Sequence, residues 1–98
     1  MSRMASRPTQ TMVWYRGIAF MLDLVVCRRA LVGRQVEGEF DSMESLAQAV
    51  GVSRSTASRF FSGRSTSLAV TLRILDALHL RFHKVATPVV VEATASAR

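Results

Sequence analysis

Four arginines, Arg54, Arg59, Arg64 and Arg73, stand in a stretch from Ser45 to Leu75 that holds no acidic residue. The hydroxyls of Ser53, Ser55, Thr56, Ser58 and Ser62 are interleaved with them. A guanidinium offers a rigid fork of donors that matches phosphate oxygens or the O6/N7 edge of guanine, and a hydroxyl bonds phosphates or base edges. The same stretch has no carboxylate to act as a base, no Cys cluster and no glycine-rich phosphate loop. The chemistry these types support is recognition of an anionic partner, and no catalytic constellation is assigned anywhere in the chain.

Such groups act together only if one element presents them on one side. Ala57, Phe60 and Phe61 recur at helical spacing, and Arg54, Ser55, Ser58 and Arg59 fall on the outward positions of the same helix. Just upstream, Leu46, Ala47 and Val50 mark a shorter helix from Ser42 to Val50, with Ser42 and Asp41 as competing caps. Gly51-Val52-Ser53 lies between the two. Glycine takes the left-handed conformation that ends a helix, Val52 fills the angle, and Ser53 caps the next helix. Ala47 is small enough for the second helix to approach. Two helices meeting at such a corner make a helix-turn-helix, whose second helix suits the DNA major groove.

The stretch resembles the DNA-binding unit of lambda-repressor-like proteins, the Cro-type or XRE-like family. The residues that carry the likeness are Leu46-Ala47, Gly51-Val52-Ser53, Phe60-Phe61-Ser62-Gly63, Ser67-Leu68 and Leu72 to Leu80, a span of about 40 of the 98 residues. The Ala-x3-Gly spacing is shared by many helix-turn-helix families, and TetR-like and LacI-like chains also use a turn of the GVSRST type; the continuation FFSG-RSTSL is more discriminating. The resemblance implies base contacts from Arg54, Ser55, Ser58 and Arg59. It implies phosphate contacts from Gln48, Ser53, Thr56, Ser62 and Arg64. Two positions depart from the family: Ser62 stands where Asn is common, and Met43 where Gln is common.

Composition agrees with a polyanionic partner. The net charge is +6, and twelve of the thirteen basic residues are Arg, Lys84 being the exception. Cys27 is the one cysteine, which suits a reducing cytoplasm and a buried apolar role. The apolar run from Ile18 to Val26 is interrupted by Asp23 and followed by Arg28-Arg29, too short for a membrane span.

The rest of the chain should position the corner. Residues 1–10 are expected to be a disordered basic arm, with Arg3 and Arg7 able to reach a minor groove or phosphates. Pro8 and Thr9 mark the start of one long first helix from Thr11 to about Arg34. Its stripes are Trp14, Ile18, Met21, Leu22, Val25 and Val32, and Val13, Phe20, Leu24, Cys27 and Leu31. A helix apolar all round is buried on several sides. The acids of Gly33 to Asp41 link into the second helix, with Phe40 anchored in the core. Ser67 caps a fourth helix whose inward stripe is Leu68, Leu72, Leu75 and His79. Arg81 to Val91 alternates and then turns β-branched, so an extended segment is expected there, paired with its copy across a two-fold axis. His79 and His83 lack a third ligand, and no metal or cofactor is assigned.

The fold class expected is therefore all-α, a helix-turn-helix bundle of about four helices. Residues 11–80 would form the DNA-binding domain, and 81–98 a strand and tail for dimerisation. The function implied is a cytoplasmic, phage or bacterial regulator, a repressor acting on double-stranded DNA as a homodimer. The alternatives are an antitoxin that also holds a toxin partner, and a protein-interaction adaptor on the same scaffold.

Overall fold

A computed structural model of the chain describes residues 8–89. The elements run β1 (Gln10–Tyr15), β2 (Ile18–Asp23), α1 (Leu24–Val36), α2 (Met43–Val50), α3 (Arg54–Phe61), α4 (Leu68–Ala77), α5 (Phe82–Val85) and β3 (Ala86–Pro88). The strands form one antiparallel sheet in the order β1-β2-β3. The all-α expectation is overturned: the molecule mixes a three-stranded sheet with five helices.

The correction falls on the segment read as one long helix. Residues 10–23 are a hairpin, and only 24–36 are helical. Arg16 and Gly17 both take left-handed backbone angles, φ 55° and 77°, which is the two-residue turn whose twist matches paired strands. Thr11 and Val13 point inward while Met12 and Trp14 point out, the period of a strand. Trp14 and Ile18, expected in the core, are 61% and 51% exposed. Asp23 does more than interrupt an apolar run. Its Oδ1 accepts the N–H groups of Val25 (3.0 Å) and Val26 (3.3 Å) and so caps α1 where β2 ends.

The C-terminal segment also differs. Phe82–Val85 is a short helix, and Ala86–Pro88 pairs with β2 of the same chain, Leu22 opposite Ala86 and Phe20 opposite Pro88. The backbone partner assigned to a second copy is thus found within the chain. Phe82 seats this segment, its ring 5.1 Å from Phe20 and 5.4 Å from Tyr15, both edge-on.

The three helices of the motif follow the sequence closely. Ser42 caps α2 by accepting from the Ser45 N–H (3.1 Å), and Ser45 Oγ accepts in return from the Ser42 N–H, so Ser42 rather than Asp41 is the cap. Ser53 caps α3 and Ser67 caps α4. The buried stripe of α4 is Thr71, Ile74 and Leu75, continued by Leu78; Leu72 is 40% exposed, and His79 lies beyond the helix end in a left-handed conformation. Burial of Thr71 is tolerated because its hydroxyl meets that of Thr66 at 3.0 Å.

One core joins both halves. Leu22 and Leu24 from the β2–α1 joint, Cys27 and Leu31 from α1, Leu46 from α2, Phe60 and Phe61 from α3, and Ile74, Leu75 and Leu78 from α4 pack together with Val85 and Ala86. Burial pushes the Cys27 thiol up to about 12, with the Asp23 carboxylate adding to the rise and Arg28 opposing it. The thiolate is therefore negligible at neutral pH, and the residue acts as an apolar filler. Among the described residues no helix is long and apolar enough to cross a membrane.

Candidate nucleic-acid interface

The corner is built by local backbone chemistry. Gly51 ends α2 at φ 78°, and the Val52 N–H returns to the Ala47 carbonyl at 3.0 Å. Ser53 then accepts from the Thr56 N–H at 3.1 Å, which opens α3 at once. At 100° per residue, Arg54, Ser58, Ser55 and Arg59 spread over an arc of about 140°. All four are exposed. Phe61, Ala57 and Phe60 occupy the other side and are at most 2% exposed. The helix is thereby a two-sided device, one side fixed in the core and the other offering guanidinium and hydroxyl groups.

Gln48, Ser53, Ser62 and Arg64 are exposed as well, and Thr56 is half-buried. Their hydroxyls are not equally free. Ser53 Oγ caps the helix and also bonds the hydroxyls of Ser55 (3.1 Å) and Thr56 (2.9 Å). Ser62 Oγ donates to the Arg59 carbonyl at 3.0 Å. A phosphate contact from either must be shared with, or replace, these bonds. Arg54, Arg59 and Arg64 make no ion pair among the described residues, so their charge is uncompensated on this face. Arg54 also sits in the first turn of α3, where the positive end of the helix dipole disfavours a cation and favours an anion.

One positioning residue escaped the sequence. Arg28, on α1, donates from Nε (2.9 Å) and from its second terminal nitrogen (2.7 Å) to the Phe61 carbonyl at the end of α3. A cation there satisfies an orphan carbonyl and complements the dipole. It also ties α3 to α1 across a sequence separation of 33 residues. The Arg28-Arg29 pair was visible, but nothing local distinguishes the bonded arginine from the exposed one beside it. Charge-assisted bonds contribute about 1.5–3 kcal/mol. Arg28→Ala should therefore lower Tm by roughly 10 °C, with Arg28→Lys intermediate, as a thermal melt will read.

The entry of the chain is tied to the same region. Gly63 follows α3 at φ 92°, and a Cβ there would lie 2.6 Å from the Pro8 ring. Residues 1–7, including Arg3 and Arg7 of the expected arm, lie outside the described residues, as do 90–98. His79 and His83 do not share one helix: His79 meets Arg34 at 3.2 Å and Glu39 at 3.6 Å, while His83 belongs to α5. Glu39 also meets Arg34 at 3.4 Å, so this group latches the end of α1 to the end of α4.

Residues 41–84 match a protein-family model described as Helix-turn-helix. Comparisons with curated proteins and with solved structures gave no match. The matched span begins one residue before the cap of α2 and ends in α5, so the whole sheet lies outside it. Over residues 41–84 the chain is thus similar to the XRE/lambda-repressor-like helix-turn-helix, a DNA-binding unit, and its three-stranded sheet lies outside that similarity.

Proposed function

We propose that the chain is a sequence-specific regulator of transcription that binds duplex DNA as a homodimer and represses by occupying a promoter. The observation that carries this reading is the outward face of α3, where Arg54, Ser55, Ser58 and Arg59 stand together with no acidic neighbour to neutralise them. Arg54 and Arg59 read base edges, with Ser55 and Ser58 between them. Arg64, Gln48, Thr56, Ser53 and Ser62 hold the flanking phosphates, the last two by exchanging hydrogen bonds they make in the free protein. Two copies reading opposite strands favour a near-palindromic operator, with half-sites about 10 base pairs apart or a multiple of that.

Selection of bound duplexes from a random library tests this directly. The expected product is an inverted repeat with at least one guanine in each half-site. Affinity for it should fall with salt along a slope of about −0.9 per phosphate contact. Enrichment of no sequence, with weak salt-dependent binding to all of them, would leave only a non-specific polyanion binder and defeat the regulator reading.

A further inference from the structure

The antiparallel register sets Met12 opposite Met21, Trp14 opposite Ala19, and Met21 opposite Thr87. Directly opposed residues share a face, so these side chains lie on one surface of the sheet. Val89, whose N–H bonds the Ala19 carbonyl at 2.9 Å, extends it. The other surface holds Thr11, Val13, Leu22 and Ala86, all buried. The outer surface has no such cover among the described residues: Trp14 is 61%, Met12 41% and Val89 38% exposed. A large exposed aromatic beside methionines is the composition of an interface centre.

We propose that this outer sheet face seats a second copy of the chain, the strands of the two copies running in opposite directions. The proposal deepens the homodimer reading above by naming its surface. Two features favour a second copy as the occupant. First, the chain carries a net charge of +6, so two copies repel least where the surfaces that meet are neutral. The Met12, Trp14, Ala19, Met21, Thr87 and Val89 side chains carry no charge.

Second, the face ends in opposite charges. Arg16 stands in the hairpin turn at one end and Asp23 at the other. Neither makes an ion pair among the described residues: the Arg16 guanidinium rests over the Tyr15 ring at 5.6 Å, from which it would have to turn to reach a partner, and the two cap bonds of Asp23 use Oδ1 alone. A two-fold axis lying between the faces and across the strands reverses the partner. Each Arg16 end then meets the partner's Asp23 end. An axis along the strands would instead set Arg16 against Arg16. The face is thus complementary to itself in one orientation. Its exposed apolar area is on the order of 300–400 Å² per copy, which places the dimer in the weak class that a two-site duplex can tighten.

Trp14 is the single tryptophan, so its fluorescence reports the interface in the full chain without a label. Sedimentation of the wild type should pass from monomer to dimer as concentration rises through the micromolar range. Over the same range Trp14 emission should shift to the blue and resist iodide quenching. Trp14→Glu should weaken association by about 30-fold or more. Arg16→Glu, which leaves the apolar face intact, should weaken it less, and both variants should keep the wild-type circular dichroism.

A wild type that stays monomeric, or a Trp14→Glu chain that dimerises as well as wild type, overturns the proposal. Trp14 protected in a monomer at every concentration also overturns it, because residues 90–98 or another segment would then be the cover. The DNA reading fails separately. Absence of operator selection alongside Trp14-dependent dimerisation would sink the regulator and leave this interface standing. Unchanged two-copy operator binding by a well-folded Trp14→Glu chain would do the reverse.

Discussion

Replacing Arg54 with alanine should cost the operator complex far more than it costs the protein. A bidentate arginine–guanine contact contributes about 1–3 kcal/mol of discrimination. A dimer makes the contact twice, so affinity for the selected operator should fall from roughly 30-fold to beyond ten-thousand-fold. Stability should move the other way. Arg54 is exposed, has no ion pair among the described residues, and sits in the first turn of α3, where a cation faces the positive end of the dipole. Relieving that repulsion should stabilise the fold by a few tenths to about 1 kcal/mol. Filter or fluorescence binding to the operator and to duplexes altered at single positions checks the point. Preference should relax at one base pair per half-site. Uniform weakening across all sequences would make Arg54 a phosphate contact, and unchanged binding would remove it from the interface.

The helix-turn-helix was legible because its determinants are local. Ser42, Ser53 and Ser67 cap helices that begin at the next residue, and Gly51 turns the corner at a left-handed φ that other residues reach at a cost. The outward face of α3 followed from the same spacing. The hairpin was not legible by periodicity, because Val13 to Leu22 is apolar on both faces. Trp14 and Met12 are exposed apolar residues, so the inside-outside alternation that marks a strand is absent from the composition. The signal that existed was Arg16-Gly17, a pair able to make a two-residue turn. Reading β2 as helix leaves β3 without a partner in its own chain, which is why the sequence alone points to a second copy for it. Arg28 was hidden for another reason: its acceptor is a backbone carbonyl on an element packed against it only in the folded state.

Phe60→Ala should do through folding what Arg54→Ala does through contact, and the two can be told apart. Phe60 is fully buried on the inner side of α3, its ring 4.9 Å from that of Phe61 and nearly perpendicular to it. It belongs to the cluster that joins α3 to α1, α2 and α4. Removing a buried phenyl costs about 3–5 kcal/mol, the lost transfer energy plus the cavity left behind. A domain of this size holds only about 5–15 kcal/mol in all, so Tm should drop by roughly 15–30 °C. Phe60→Leu should recover most of that loss. Operator binding measured near Tm will then look abolished, yet the surviving folded fraction still presents Arg54 and Arg59. Binding measured well below Tm should recover affinity in proportion to that fraction, with base preference unchanged. A shifted preference under those conditions would mean that Phe60 sets the angle at which α3 is held, and that the core behind the interface takes part in choosing the sequence it reads.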